Sequence, residues 1–286
     1  MKRILTYCIL AAFVLLSACR KSDNPNIPKL TAVSVPLITI DGSVDVTISK
    51  DDPLAFKGKF IVDEYFKNGP KPAKYDVVVI KNDNKDNVKH IKDGITTFPT
   101  SVDVTGQQLT TLFNAPIVLG DKFTIGVDVT TEAGQLFEGF PKLADAEAYG
   151  SGLNGQAGAS TTISYSAVCP IYIEDFLGDA TVVDNFFWGS TYPVTVTNPS
   201  PGVLQVTGVN EQPGVSVLIY LDTKYYTAKV PAEIIDKDVS GYVGPYTNLK
   251  MDGKGSVDAC KLSINLSIAW TVDQGGFGTG PWILKK

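Results

Sequence analysis

Histidine is almost missing from this chain: 286 residues contain one, His90. A Ser-His-Asp triad, a His-Glu-x-x-His zinc site and a facial iron triad each need imidazole in defined company, so those chemistries have little to stand on. Basic stretches are missing too. With 25 Lys plus Arg against 30 Asp plus Glu and a net charge of -5, the chain cannot neutralise many phosphates, and a nucleic-acid partner is not expected. Cysteine is scarce, four in all, and no Cys-x-x-Cys pair exists to support a redox or zinc role. No apolar run approaches the roughly 20 residues that span a bilayer, and no helical pattern longer than two or three turns can be drawn after the N-terminal segment.

β-Branched residues are what the chain has in plenty. Its 30 Val, 21 Ile and 25 Thr make 76 of 286 residues, and 26 Gly and 17 Pro accompany them. Branched side chains lose χ1 freedom in a helix but sit well on a pleated sheet, while Gly and Pro punctuate turns. The fold class expected is all-β.

Lys2 and Arg3 precede the apolar stretch Ile4 to Leu16, so residues 1–18 read as a signal peptide. The stretch ends Leu16-Ser17-Ala18-Cys19, which resembles the lipobox of bacterial lipoproteins. That resemblance implies cleavage before Cys19, lipidation of its thiol and attachment to a membrane through lipid. Residues 19–29 are polar and Pro-containing and read as a tether. Arg20 is not the Asp that resembles an inner-membrane retention signal, so outer-membrane delivery is implied, and the short charged stretch after Cys19 resembles the surface-export signals of Bacteroidota lipoproteins, which implies facing the cell exterior. Losing Lys2 and Arg3 leaves the mature chain more acidic still, and lipid rather than charge then attaches it.

Cys8 leaves with the signal and Cys19 is lipidated, so Cys169 and Cys260 remain. In an exported chain two thiols point to one disulfide; two separate buried thiols are the alternative.

Period-2 alternation then recurs along the chain. Val44, Val46 and Ile48 alternate with Asp45, Thr47 and Ser49, and Phe123, Ile125, Val127 and Val129 alternate with Thr124, Gly126 and Asp128, each the pattern of a half-buried strand. Tyr75 to Ile80 and Val88 to Ile91, separated by a polar turn over 82–87, read as a hairpin. One helix is expected after Thr105, a candidate N-cap, with Leu109, Leu112 and Phe113 at helical spacing and Asn114 to Pro116 ending it. Residues 30–168 therefore read as an immunoglobulin-like β-sandwich, closed by a strand at Thr161 to Val168 after a run rich in Gly, Ser and Ala. Pro170 marks a seam. Residues 169–286 carry a short helical turn at Ile171 to Phe176 and about eight further strands, the pattern of an antiparallel barrel or sandwich. Phe176-Leu177-Gly178 ahead of that meander is faintly similar to lipocalin-type barrels, although Asp179 stands where those have Trp.

Constellations for chemistry are weak. Gly275-Gly276-Phe277-Gly278-Thr279-Gly280 lacks the Gly-Lys-Ser/Thr ending of a phosphate loop and reads as a hairpin loop before a strand at Trp282 to Leu284. Asp83, Asn84, Asp86 and Asn87 lack the Gly and Glu of a calcium loop. Glu174 and Asp175 suit the first turn of a short helix, and His90 sits on a solvated hairpin. No Gly-x-Ser-x-Gly elbow appears. No catalytic residue, cofactor or metal site is expected.

Aromatic residues are the better lead. Phe186, Phe187, Trp188 and Tyr192 put four rings in seven residues beside a turn, and Tyr225, Tyr226, Trp270 and Trp282 add more. Flat rings among polar side chains suit sugars, whose C-H faces pack on them. Core or interface packing is the alternative for the 186–188 run, and core packing for Trp270 and Trp282.

Lipobox, tether, immunoglobulin-like half and β-rich second half, with the turn Gly120-Asp121-Lys122-Phe123 after a short helix, together resemble the SusE-like lipoproteins of Bacteroidota that accompany SusC/SusD-type glycan importers. The resemblance implies non-catalytic glycan binding at the cell surface beside such a complex. The competing resemblance is to fimbrillin-type structural or adhesive lipoproteins, which exchange a first strand; Thr31 to Val35 is the candidate strand here.

Overall fold

In a computed structural model, residues 32–142, 149, 152–153 and 155–286 are described. The signal peptide, Cys19 and the tether lie outside the described residues, as do parts of the Gly- and Ala-rich run. The fold is all-β, and Ser34–Lys286 forms one compact unit.

Strands β1 (Pro36–Ile40), β2 (Ile48–Ser49), β3 (Lys57–Glu64), β4 (Pro72–Lys81), β5 (Lys89–Ile95), β6 (Thr100–Thr105), β7 (Lys122–Thr131), β8 (Leu136–Phe137) and β9 (Ile163–Val168) build the first half. One sheet runs β1-β3-β6; the other runs β2-β9-β7-β4-β5, with β8 added on β7. Tyr165 of β9 ties the sheets together. Its ring meets Phe56 edge-on at 5.0 Å and its hydroxyl donates to Lys59 O of β3 at 3.0 Å. The helix α1 (Gly106–Phe113) forms where its caps demand: Thr105 Oγ1 accepts from Gln108 N at 3.1 Å, and Asn114 closes it in the left-handed conformation at φ 48. The β4–β5 hairpin also forms as the pattern requires.

Two alternating segments depart from expectation. Val44 to Thr47 is a loop, and only Ile48–Ser49 pairs as strand. The physical reason lies in its aspartates: Asp41 Oδ1 accepts from Ser43 N at 2.9 Å and Asp45 Oδ2 from Lys57 N at the start of β3 at 2.9 Å, so side chains take bonds that a ladder would use. The first strand is Pro36–Ile40, whereas residues 32–35 of the candidate exchange strand carry no strand structure. Strand β7 is also buried more fully than its alternation implies, because Phe140 folds over its outer face against Gly126.

The Gly120-Asp121 turn owes its sequence to structure. Buried Asp121 accepts from Val118 N at 2.8 Å and from Asn82 Nδ2 at 2.9 Å, and pairs with Lys81 at 2.7 Å. Burial pushes its carboxyl up, but Lys81, the Val118 N–H and Asn82 outweigh that and hold it below the ordinary carboxylate range. Asp121→Ala should cost about 3 kcal/mol at neutral pH, since it strands a half-buried Lys and two donors. A depressed carboxylate stabilises the fold above its unfolded pKa and loses that contribution as pH falls through the folded one. The gap between wild type and variant in urea unfolding should therefore narrow below about pH 4, and a gap independent of pH would contradict the ion pair's role.

The second half is a closed eight-stranded antiparallel barrel: β10 (Gly178–Asp184), β11 (Ser190–Ser200), β12 (Val203–Thr207), β13 (Ser216–Asp222), β14 (Thr227–Asp238), β15 (Thr247–Asp258), β16 (Ser263–Val272) and β17 (Gly275–Lys285), with β17 pairing back on β10. Closure leaves no free edge. Strand β15 approaches β16 closely at Gly255, where a Cβ would stand 1.8 Å from Asn265 O. The run 275–280 is the first half of β17 rather than a loop, and Tyr225 and Tyr226 occupy the β13–β14 turn rather than a strand.

Because the barrel is a simple meander, its turns alternate between two ends. The near end carries the turns at 201–202, 223–226 and 259–262 and meets the sandwich. There Cys169, in the segment leading into the barrel, is disulfide-bonded to Cys260 of the β15–β16 turn. Tyr226 Oη donates to Cys169 O at 2.9 Å, Tyr172 Oη to Asp51 Oδ2 at 3.0 Å, and Lys224 Nζ to Gly42 O. The distal end carries the turns at 185–189, 208–215, 239–246 and 273–274.

Candidate functional site

The sequence-derived aromatic candidates separate into three environments. Tyr192, Trp270 and Trp282 are 1%, 1% and 0% exposed, members of the barrel core, and offer no face to a ligand. Trp282 Nε1 donates to Tyr192 Oη at 3.2 Å, which satisfies both polar tips inside the core. Tyr225 and Tyr226 lie at the near end, Tyr226 lining a cleft of about 510 Å³ against Ser43 to Thr47 and Phe56. Only Phe186, Phe187 and Trp188 come together at the distal end.

There they line a cleft of about 390 Å³ with Tyr242, Val243 and Phe277. Phe187 stacks on Trp270, centroids 4.2 Å apart and planes 9° apart, and meets Phe277 edge-on at 5.2 Å. Trp188 meets Tyr242 edge-on at 5.7 Å, and Tyr246 meets Phe277 at 5.4 Å. Phe186 and Phe277 remain 42% and 36% exposed, so the cleft presents open ring surface rather than a sealed core.

The backbone explains how the rings come to lie there. Asp184, at the end of β10, is fully buried, and its Oδ1 accepts from the backbone N–H groups of Phe186 at 3.1 Å and Phe187 at 2.8 Å. Burial pushes its carboxyl above the ordinary range, with the N–H groups of Phe187, Trp188 and Phe186 acting the other way. The Gly-rich run supplies the seat: a Cβ on Gly280 would stand 2.0 Å from Phe186 Cγ, so only glycine lets that ring lie on β17. Every residue lining the cleft is uncharged, which disfavours phosphate or other ionic ligands. Its polar handle is Tyr242 Oη, which donates to Asp236 Oδ2 at 2.6 Å.

Tyr242 and Phe277, with Tyr246 packed behind Phe277, are the aromatic residues of the cleft region that sequence reasoning passed over. Tyr242 and Tyr246 lie in the Gly- and Pro-punctuated stretch 240–246 and Phe277 within the glycine run. Aromatic rings inside turn-forming sequence were the available signal.

A third cleft, about 420 Å³, lies on the outer face of the β4–β7 pair and includes Lys74, Asp76, His90, Asp128, Glu138 and Lys142. Asp76 and Asp128 are cross-strand partners. Each already has a structural task, however: Asp76 accepts from Gly94 N at 2.7 Å and Lys74 Nζ at 2.6 Å, and Asp128 accepts from Gly139 N at 2.7 Å, pinning the segment that carries Phe140. Among the described residues no group of three or more His, Cys, Asp or Glu is arranged to hold a metal ion. No protein-family model and no curated protein matches the chain.

Proposed function

We propose that this protein is a non-catalytic, lipid-anchored glycan-binding protein of the outer membrane, of the SusE-like kind, working beside a SusC/SusD-like importer. The distal cleft of the barrel is its sugar-contacting surface. The observation that carries the reading is the exposed, uncharged aromatic cleft of Phe186, Trp188, Tyr242 and Phe277, set at the barrel end away from the sandwich. Pyranose rings pack their C-H faces on such surfaces, and the Tyr242 hydroxyl, whose own proton goes to Asp236, accepts a hydrogen bond from the sugar.

Affinity electrophoresis through gels containing a panel of polysaccharides tests it. The wild-type protein should be retarded by at least one glycan, and Trp188→Ala should weaken the interaction by roughly tenfold, the loss of about 1.4 kcal/mol. No retardation on any glycan, or equal retardation of the variant, would sink the reading.

A further inference from the structure

The cleft of about 510 Å³ at the near end has no part in the reading above. One wall is the sandwich loop from Ser43 to Thr47 with Asp52; the other is the β13–β14 turn at Thr223, Lys224 and Tyr226. Sandwich and barrel are fixed around it by the Cys169–Cys260 disulfide, by Tyr226 Oη on Cys169 O at 2.9 Å and by Lys224 Nζ on Gly42 O. A cleft held in this way is preformed, so a guest need not order its walls. Two departures from local rules converge on it. Val44 to Thr47 carries a strand pattern yet forms no strand, and the residues withdrawn from the ladder wall the cleft, with Val44 and Val46 only half-buried. Tyr226, a bulky residue, adopts the left-handed conformation at φ 55, which costs free energy that such side chains seldom bear. Neither departure adds to a ladder or to the barrel core. Proteins keep such inconsistencies chiefly where a site requires them.

The chemistry of the lining selects the guest. Asp45 and Asp52 each give one carboxylate oxygen to a backbone N–H, of Lys57 at 2.9 Å and of Ala55 at 3.2 Å, which leaves the other oxygen of each open to accept. Across the cleft the Lys224 ammonium has protons beyond the one it donates to Gly42 O. Two carboxylates against one ammonium leave the lining net negative, which disfavours an anion. Among the described residues no group of three or more His, Cys, Asp or Glu is arranged to hold a metal ion. Hydroxyl, carboxylate and ammonium groups offer little to an apolar guest. What fits is a neutral molecule with several hydroxyls, some donating to the Asp45 and Asp52 oxygens and another accepting from Lys224, with a C-H face against the Tyr226 ring.

We propose that the cleft between sandwich and barrel is a saccharide site in its own right, taking a short neutral sugar through Asp45, Asp52 and Lys224. It does not rest on the distal cleft, and the two differ in what they recognise. The distal cleft is uncharged and offers ring faces, so it reads the stacking surface of a sugar. The near-end cleft offers charge-assisted hydrogen bonds, which depend on where each hydroxyl points, so it reads the hydroxyl pattern.

Amide NMR spectra of the full chain, recorded while glucose, maltose, cellobiose, mannobiose and xylobiose are added in turn, test it. At least one sugar should shift the amides of Ser43 to Thr47 and of Thr223 to Tyr226. Asp45→Asn combined with Asp52→Asn should weaken that response about tenfold. Each Asn keeps an acceptor for the Lys57 or Ala55 N–H, so the loop keeps its shape. No shift in these two segments with any sugar would overturn the proposal, as would an undiminished response in the double variant or an equal response of wild type to glucuronic acid. Shifts confined to Phe186 to Trp188 and Tyr242 would overturn it and leave the distal reading intact, whereas shifts at the near end alone would support it and count against the distal cleft. Should the double variant fold poorly, the wild-type shift map decides the matter.

Discussion

Replacing Cys169 and Cys260 together by Ser is expected to remove about 4 to 5 kcal/mol of stability and to lower the midpoint of thermal unfolding by roughly 10–15 °C. The bond closes a loop of 91 residues in sequence separation. On the chain-entropy account, a loop that long confers most of its stabilisation by restricting the unfolded ensemble. Its position adds a second consequence. Cys169 lies in the segment between β9 and the barrel, and Cys260 in the β15–β16 turn, so the bond fixes the entry of the chain against the near end, beside Tyr226 Oη on Cys169 O. Thermal unfolding of wild type with and without reductant, next to the double Ser variant, measures the effect. Reduced wild type should match the variant; a loss below about 1 kcal/mol, or free thiols in the unreduced protein by mass spectrometry, would contradict it.

Trp270→Ala should cost about 3–5 kcal/mol, as truncation of a large buried aromatic does. Trp270 is 1% exposed, sits opposite Met251 in the β15–β16 register, and carries Phe187 stacked on its face at 4.2 Å. Its loss leaves a cavity in the barrel core and removes the surface on which the distal cleft is built. Trp188→Ala should differ sharply: that ring is only partly buried, with Tyr242 as its aromatic neighbour, so its removal should cost about 1 kcal/mol or less while still reducing glycan retention. Urea unfolding of the two variants separates the roles. Similar losses for both would mean that Trp188 is a core residue and that the cleft is packing rather than a binding surface.

The contrast between these two tryptophans marks the limit of what periodicity conveys. Alternation placed Trp270 on one face of a strand, and a strand in a closed barrel has its inner face in the core, so burial followed from pattern plus closure. The run Phe186-Phe187-Trp188 has no such rule, because residues in a turn point where neighbouring turns leave room. Its partners Tyr242 and Phe277 lie more than 50 residues further along the chain and meet it only because a meander returns its turns to the same end. Val44 to Ile48 illustrates the opposite failure. Its alternation was sound, yet the Asp41 and Asp45 side chains took backbone N–H groups, of Ser43 and of Lys57, and little ladder formed.

What the sequence by itself determined was the all-β class, the capped helix after Thr105 and the β4–β5 hairpin, with Cys169 and Cys260 as the candidate pair that the structure then shows bonded. These rest on local propensity, side-chain caps and the count of thiols available. The tertiary structure alone decided that the glycine run is a strand whose bare face seats Phe186, and that Tyr192, Trp270 and Trp282 are sealed while Phe186 and Phe277 stay open. Those facts depend on which turns share an end of the barrel. Strand pairing fixes that arrangement through closure of the whole sheet, and no window of neighbouring residues contains it.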